Sequence, residues 1–403
     1  MGFTSILVAT LACIAYTRGK VIYVDPKSFA VFGVNSTAFR IDAFSGGFNP
    51  TSTTPPFFQV FDTAFLNLLG PDARIAQIAA NATYAFAHEA PVYVPETDEV
   101  FFASNAGGAL GMSGLDKNNV VFKISLREAE AALASATNAS EGVNVPITAL
   151  DLAEEIQMTN GGTGPYRSSF ILVNSGRGPR PPSIALVNPK APYNSTVILD
   201  NFYGRQFNSL NDLKVHPKNG QIYFTDPDYG YMNRFRPLPL LPNQLYAFDP
   251  QTSTVRVIAD QFEKCNGIAF DADGKIAYVS DTGAAIGFLG FNQTLPSTIY
   301  AYDVDPLKGT FGNRRVFAYS DAGIPDGIQV DIFGNVFSGC GDGVHVWDNK
   351  GTLLGKLFFN TTTANMVFAG PGRMVVLAET KVFLVHFAAR GIELGGPRGK
   401  NPY

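Results

Sequence analysis

One short phrase recurs along this chain and limits the folds that the chain can adopt. Each copy opens with Asn or an acidic residue and continues as an apolar strand, a turn and a second strand. The six copies open at Glu89, Asn160, Asn211, Asn266, Asp326 and Asn365. Repeats that are spaced by roughly 40 to 70 residues and hold several short strands are typical of propeller blades. The sequence therefore predicts an all-β fold, a six-bladed β-propeller with a central channel.

The segments outside the repeats are expected to complete this ring. Residues 21 to about 80 read as a lead-in with a short helix near residues 61–69, and they are predicted to supply a strand that closes the last blade. Strong helix formers over residues 126–136 predict one small helical insertion in the longest repeat. Gly220 and Gly274 are predicted to take positive φ in hairpin turns. We expect residues 20–403 to form a single propeller domain.

Composition and charge agree with a strand-rich protein that has a substantial core. The chain is 46% hydrophobic and 16% charged, which excludes disorder by composition. Its 40 Gly and 26 Pro favour many turns. The formal net charge is −4 and no basic stripe occurs, so no nucleic-acid partner is expected.

Residues 1–19 are typical of a secretory signal peptide. The apolar run over residues 6–15 is too short to span a bilayer, and no longer run follows it. Six N-x-S/T sequons occur, at Asn35, Asn81, Asn138, Asn194, Asn292 and Asn360. We therefore expect a secreted, N-glycosylated protein that has no membrane association after signal removal. Cys13 would leave with the signal, and Cys265 and Cys340 can then either pair or stay free.

Hard oxygen ligands are the chemistry that the six openers offer. Equivalent positions in a ring of repeats point at one axis, so the amide and carboxylate oxygens would converge there. Such a ligand set suits Ca²⁺, whereas the lack of a Cys/His cluster argues against Zn²⁺. The alternative is that these residues only cap turns. Glu89 favours the metal because Glu is a poor turn residue, while Asn160 and Asn365 are interpreted as capping residues.

Longer strings in the chain resemble a known superfamily. Residues 223–230 (Tyr-Phe-Thr-Asp-Pro-Asp-Tyr-Gly) and 325–330 (Pro-Asp-Gly-Ile-Gln-Val) look like the gluconolactonase, senescence marker protein and luciferin-regenerating enzyme superfamily. Residues 202–212 and 339–347 are similar to the fungal lactonohydrolases, which open aldonate and pantoyl lactones. The resemblance covers about residues 89–385 and implies a six-bladed propeller with Ca²⁺ in its channel.

The resemblance also implies roles for individual residues. The positions that match the superfamily's metal ligands are all intact, and they are Glu89, Asn211, Asn266 and Asp326. Arg205 resembles a substrate-side Arg, with an exposed structural Arg as the alternative reading. Cys265 departs from the pattern, because relatives usually have Pro before the Asn-Gly pair.

The favoured hypothesis is a calcium-dependent lactonase that hydrolyses the intramolecular ester of sugar-acid or pantoyl-type lactones to the hydroxy acid. Asp326 is the candidate general base as well as a metal ligand, and the partner is a small-molecule lactone. No Gly-x-Ser-x-Gly elbow or P-loop offers competing machinery. The alternatives are a strictosidine-synthase-like propeller enzyme with other chemistry and a non-catalytic secreted calcium-binding propeller. The sequence leaves open the lactone, its stereoisomer and the oligomeric state.

Overall fold

The computed structural model describes residues 19–25, 53–108, 111–136 and 142–392. Its strands form six sheets, and the first strands of successive sheets pack side by side until the sixth meets the first. The prediction of a six-bladed all-β propeller is therefore confirmed. The predicted signal peptide lies outside the described residues, apart from Gly19.

The first four blades are consecutive four-stranded antiparallel sheets, numbered from the sheet that opens at Glu89. Blade 1 contains β4 (Glu89–Val94), β5 (Glu99–Ala103), β6 (Val121–Ser125) and β7 (Ile147–Ala149). Blade 2 contains β8 (Thr159–Tyr166), β9 (Ser169–Asn174), β10 (Ser183–Val187) and β11 (Ser195–Leu199). Blade 3 contains β12 (Leu213–Val215), β13 (Ile222–Asp226), β14 (Gln244–Asp249) and β15 (Thr254–Ala259). Blade 4 contains β16 (Cys265–Phe270), β17 (Ile276–Asp281), β18 (Thr298–Asp305) and β19 (Thr310–Tyr319).

The last two blades include strands from the N-terminal segment. Blade 5 contains β20 (Ile328–Val330), β21 (Val336–Gly339), β22 (Gly343–Trp347) and β23 (Leu353–Phe358), extended at its outer edge by β2 (Phe57–Val60) and β1 (Val21–Tyr23). Blade 6 contains β24 (Asn365–Phe368), β25 (Arg373–Ala378), β26 (Lys381–His386) and β3 (Arg74–Ala80). The β3–β26 pair confirms the predicted ring closure, whereas β1 and β2 on blade 5 were not expected from the sequence.

Helices are few and short. In the described residues they are α1 (Phe65–Leu69), α2 (Leu126–Ser135), α3 (Tyr229–Met232) and one 3₁₀ turn (Gly287–Leu289). The α2 helix is the predicted insertion, and the Ser125 hydroxyl caps it by accepting a hydrogen bond from the Glu128 amide. The described residues contain no helix with the length and apolar character needed to cross a membrane.

The strand order gives the propeller two distinct faces. Every first strand starts at what we call the upper face, where the six openers lie, and ends at the lower face. Connections between second and third strands return to the upper face, and those between first and second strands lie at the lower face. The hairpin turns at Gly220 and Gly274 are on the lower face and have φ of 69° and 66°, as predicted.

A glycine after the opener lets neighbouring first strands approach closely. A Cβ at Gly267 would collide with the Asp326 carbonyl oxygen of the next blade, and one at Gly327 would collide with the Asn365 side chain. The recurring Asn-Gly and Asp-Gly pairs are therefore a packing requirement of the ring. They bring the six openers together around the channel.

Hydroxyl and carboxylate groups at the ends of second strands hold this ring in place. The Thr225 and Ser280 hydroxyls, at equivalent repeat positions, donate to the carbonyl oxygens of Asn266 and Asp326 at 2.8 and 3.0 Å. The carboxylate of the next residue, Asp281, accepts backbone hydrogen bonds from the loop that leads into its own blade's first strand. The openers are thus fixed by neighbours in two blades.

Cysteines and sequons complete the comparison with the sequence predictions. Cys265 and Cys340 are both buried and free, so they do not form a disulfide. Four sequon residues are exposed, namely Asn81, Asn194, Asn292 and Asn360. The other two, Asn35 and Asn138, lie outside the described residues.

Candidate functional site

The upper end of the channel gathers buried oxygen-bearing side chains. Glu89, Asn211, Asn266 and Asp326 all lie at this level and are buried. Donor atoms of Glu89, Asp326 and the neighbouring His88 lie within 4.8 Å of one another. The Asn266 amide is close enough to hydrogen-bond the Asp326 carboxylate. Glu89, Asn266 and Asp326 therefore lie together, and Asn211 is buried at the equivalent position of blade 3.

Irregularities at the start of the first strands aim two of these side chains. The pairing register shifts between Glu89 and Val92 and again between Cys265 and Ile268, the segment that holds Asn266. A β-bulge of this kind redirects a side chain and ends regular pairing, which is why bulges are common at functional sites. In blade 1 the residue after the opener is Ala90 instead of glycine, and Ala90 has a φ of 54°.

Three carboxyl groups share this buried space, and we call Glu89, Asp212, Asp326 and His88 the upper cluster. Burial raises the pKa of Asp326 to about 7, and the nearby Glu379 and Asp212 charges act in the same direction. Burial and the Asp326 charge raise the pKa of Glu89 well above its usual range. Burial also raises the pKa of Asp212. If all three carboxyl groups were ionised, their negative charges would outnumber the one neighbouring cation, His88.

Two buried oxygens of this site lack a donor. Within the described part of the chain, neither Asn211 Oδ1 nor Asp326 Oδ1 accepts a hydrogen bond. A buried oxygen without a partner loses its hydration and gains nothing in return, so such groups are rare. Carboxylate and amide oxygens in this state fit a hard cation such as Ca²⁺, which takes six to eight oxygen ligands. The residues present thus fit the predicted metal.

The two openers that were interpreted as capping residues make hydrogen bonds to openers of neighbouring blades. Asn365 Oδ1 accepts the Met366 amide at 2.9 Å, and its Nδ2 donates to Glu89 Oε2 at 2.9 Å. Asn160 Nδ2 donates to the Asn211 carbonyl oxygen at 3.2 Å. Both residues therefore brace neighbouring openers through their amide nitrogens.

A histidine and a glutamate form one wall of the site. His88 Nδ1 lies 2.7 Å from Glu379 Oε1 and 3.4 Å from the Asn105 amide nitrogen. Burial opposes the charged imidazolium, but the Glu379 carboxylate outweighs it and raises the pKa of His88 to about 9. His88 is consequently held in a fixed orientation beside Glu89 and Asp326.

A tyrosine forms a second wall, where the chain leaves the strands of blade 3. The hydroxyls of Tyr229 and Thr282 lie 2.5 Å apart. Burial raises the pKa of Tyr229, and the Asp326 charge adds to the effect, so the phenol stays protonated as a donor. Tyr229 therefore places a hydroxyl group near the carboxylates of the upper cluster.

Sequence reasoning missed four of these residues, His88, Asp212, Tyr229 and Glu379. Three of them left a signal, because His88 and Asp212 flank openers and Tyr229 lies in the Asp-Pro-Asp-Tyr-Gly string. Glu379 left none, since it is 291 positions from His88 and follows no motif.

Arg205 lies apart from the buried upper cluster. It is exposed in a tight turn on the upper face, closed by reciprocal backbone hydrogen bonds with Phe202. Its predicted role toward the substrate stays a prediction.

The lower end of the channel has a different character. A cavity of about 760 Å³ opens there, lined by the downstream parts of all six first strands and by residues 390–392. Apolar groups such as Phe270, Val367 and Phe368 dominate its wall, with Lys214 and Gln329 among them. The clustered acids are confined to the upper end.

Blade 5 holds a second buried group of charges, which we call the blade-5 cluster: Asp321, Asp342, His345 and Lys356. Lys356 Nζ contacts Asp321 Oδ2 at 2.9 Å and Asp342 Oδ2 at 3.0 Å, and His345 Nε2 lies 2.6 Å from Asp342 Oδ1. Burial alone would raise the pKa of Asp342, but Lys356 and His345 hold it well below its usual range. Unlike the upper cluster, this group supplies its own cations.

More than half of the chain matches one known protein family. Residues 160–378, more than half of the chain, match the SMP-30/Gluconolactonase/LRE-like region. The chain belongs to the SMP-30/gluconolactonase/LRE-like family. This agrees with the resemblance drawn from the sequence motifs, and the match begins at the second opener of the ring.

Named relatives of this family include a fungal enzyme and two solved bacterial structures. Lactonohydrolase oryL of Aspergillus oryzae is 32% identical over 302 residues, which cover 71% of this chain and 64% of oryL. The chain thus spans just under two thirds of that relative. The gluconolactonase XC5397 of Xanthomonas campestris matches 83% of this chain and 95% of its own, with a TM-score of 0.63 and 23% identity. The calcium-binding protein regucalcin of Agrobacterium tumefaciens matches 79% of this chain and 95% of its own, with a TM-score of 0.54 and 16% identity.

Proposed function

We propose that this chain is a secreted, calcium-dependent lactonase that hydrolyses the intramolecular ester of a lactone to the hydroxy acid. The observation that carries the proposal is the buried upper end of the channel. The acids of the upper cluster lie there, and two oxygens, Asn211 Oδ1 and Asp326 Oδ1, accept no hydrogen bond from the described residues. The names of the relatives support the reaction class, since one is a lactonohydrolase and another a gluconolactonase. Regucalcin, named as calcium-binding, supports the choice of ion.

Glu89, Asn211, Asn266 and Asp326 would hold the ion. A bound Ca²⁺ would polarise the lactone carbonyl and stabilise the developing negative charge. Asp326 would also act as general base toward the attacking water; a bound cation would lower its pKa, so its base strength would be modest. Asp326 would thus serve both as ligand and as base.

His88 and Tyr229 would assist the hydrolysis from the two sides of the site. His88, fixed through Nδ1 by Glu379, keeps Nε2 free of hydrogen bonds to the described residues and would pass a proton to the departing ring oxygen. The Tyr229 hydroxyl would donate a hydrogen bond to the substrate. Because a lactone is a strained, activated ester, this modest acid–base machinery is sufficient.

A panel of sugar-acid, pantoyl and simple lactones tests the proposal. We expect acid release with at least one lactone, loss of this activity after treatment with a chelator, and recovery on addition of Ca²⁺. Activity that survives complete removal of Ca²⁺ would contradict the metal dependence. A protein that binds Ca²⁺ and turns over no lactone would favour a non-catalytic propeller.

Secretion and glycosylation are the cellular part of this proposal. The apolar N-terminal run supports secretion, and four exposed sequons support glycosylation. A shift in mass after glycosidase treatment of protein from the culture medium would test both.

A further inference from the structure

Two long loops of adjacent blades raise the upper face beside the candidate site. The second and third strands are joined by residues 227–243 in blade 3 and by residues 282–297 in blade 4. The same connections in blades 5 and 6 are only residues 340–342 and 379–380. The connection in blade 1, residues 104–120, is as long as that in blade 3. We call the two neighbouring loops of blades 3 and 4 the lip.

The lip carries six large apolar side chains that are exposed to solvent. They are Tyr231, Leu238, Leu240, Phe288, Leu289 and Phe291. Leu240 is 77% exposed and Leu289 is 62% exposed, so neither is part of the core. Contiguous exposed apolar groups on a folded protein usually mark a binding surface.

The lip adjoins the upper cluster. Tyr229 and Thr282 begin the two loops, and their hydroxyls meet 2.5 Å apart near Asp326. Farther out, α3 packs against the 3₁₀ turn, and the Arg234 guanidinium lies over the Phe288 ring at 3.6 Å. A molecule whose reacting group reaches Asp326 would therefore extend along the lip.

The charges of the lip indicate what kind of occupant it fits. Arg234 and Arg236 are its only cationic residues. Arg234 stacks on Phe288, and buried Arg236 donates to the carbonyl oxygens of Gly178 and Arg180. Loops that bind anionic lipid surfaces present free Lys or Arg beside their apolar residues. The lip offers apolar surface without free positive charge, which suits a neutral apolar group.

We propose that the lip is a subsite for an apolar substituent of the substrate, so that this enzyme prefers lactones with an alkyl or aryl tail over polyhydroxylated lactones. The proposal rests on the lactonase function proposed above. Each methylene that leaves water is worth about 0.8 kcal/mol, or about fourfold in kcat/KM. A five-carbon tail that is half covered should therefore give roughly a tenfold to thirtyfold preference.

Three lactones with the same six-membered ring test this proposal: δ-valerolactone, δ-decalactone and glucono-δ-lactone. For the natural sequence we expect kcat/KM for δ-decalactone to exceed that for δ-valerolactone by about tenfold or more. In L240S/L289S this ratio should fall at least about fivefold. Since both side chains point into solvent, the single variants L240S and L289S offer a second route if the double variant folds poorly.

A matched control lies on the opposite face. Leu307 is 96% exposed and Phe333 is 73% exposed, both in lower-face connections. L307S/F333S removes a similar amount of exposed apolar surface and should leave the ratio within about twofold of the natural protein. An equal fall of the ratio in both double variants, or no tail preference at all, would overturn the proposal.

A binding arm separates this proposal from the lactonase function. The corresponding δ-lactams, with and without a pentyl tail, resist hydrolysis and can be titrated by calorimetry. Tighter binding of the tailed lactam that is lost in L240S/L289S would support the subsite even if no lactone were turned over. Lip-dependent binding to phosphatidylcholine vesicles or lip-dependent dimerisation, without a tail preference, would instead assign the lip to a membrane or a second copy.

Discussion

The upper cluster and the blade-5 cluster both bury carboxylates, but only the second balances them with its own side chains. In the blade-5 cluster, Lys356 and His345 hold the pKa of Asp342 well below its usual range. In the upper cluster, burial raises the pKa of Glu89 and Asp326 even though the nearby His88 charge acts in the opposite direction. A buried charge must be paired or neutralised. The difference supports our proposal that the upper cluster receives a cation from outside.

The largest effect is expected from breaking the blade-5 cluster. Lys356→Met leaves Asp321 and Asp342 without their shared ammonium group, and removal of one partner of a buried ion pair costs about 3–5 kcal/mol. Urea unfolding should show this loss. Exposed Lys350→Met is the control and should change stability by less than about 0.5 kcal/mol. A similar stability for the two variants would contradict the self-balanced cluster.

The matching change in the upper cluster should affect activity more than folding. Asp326→Ala removes a proposed ligand and base, and we expect lactonase kcat/KM to fall by about a hundredfold or more. Its unfolding free energy should fall little, because burial and the neighbouring carboxylates already disfavour the charged form of Asp326. Asp273→Ala, in an exposed lower-face turn, is the control for activity. Unchanged kcat/KM in Asp326→Ala would refute the assigned role.

The close approach of first strands can be broken without touching a charge. A Cβ at Gly267 meets the Asp326 carbonyl oxygen, and overpacking of this kind costs about 1–3 kcal/mol. Gly267→Ala should therefore lower stability and, by shifting Asp326, lower activity as well. Gly312→Ala is the matched control, since its Cβ would meet nothing within 4 Å. Equal stability of the two variants would show that the ring tolerates wider spacing.

A smaller effect should appear in the pH dependence of stability. Burial opposes the charged His345, yet the Cys340 sulfur and the Asp342 carboxylate raise its pKa from 6.5 to about 10. A raised pKa of this kind stabilises the fold fully below pH 6.5, and the contribution is lost as the pH rises toward 10. Between these limits the loss is at most about 1.4 kcal/mol per pH unit. His345→Gln should flatten this part of the stability curve, and a parallel curve would contradict the pairing.

The repeat predicted the fold because each opener, strand and turn is local in sequence. The openers gave the blade number, and the closing strand β3 followed from the need to complete the last blade. The pairing of β1 and β2 with blade 5 was not predictable, because it joins Phe57 to Phe358 without any repeated pattern. Local periodicity carries no information about such distant partners.

The candidate site was predictable to the same extent. Glu89, Asn211, Asn266 and Asp326 could be named because they occupy repeated positions; all four are buried, and donor atoms of Glu89 and Asp326 lie within 4.8 Å of each other. Glu379, which holds His88, and Thr282, which meets Tyr229, come from connections that do not repeat. The exposed lip was equally hidden, since exposure is a property of the folded chain.

Calorimetric titration of the chelator-treated protein with Ca²⁺ tests the central claim most directly. We predict one Ca²⁺ bound per chain, with binding abolished in Asp326→Ala and retained in Asp273→Ala. A protein that binds no Ca²⁺, or an Asp326→Ala variant that binds it as tightly as the natural protein, would contradict the assignment of the upper cluster as a metal site.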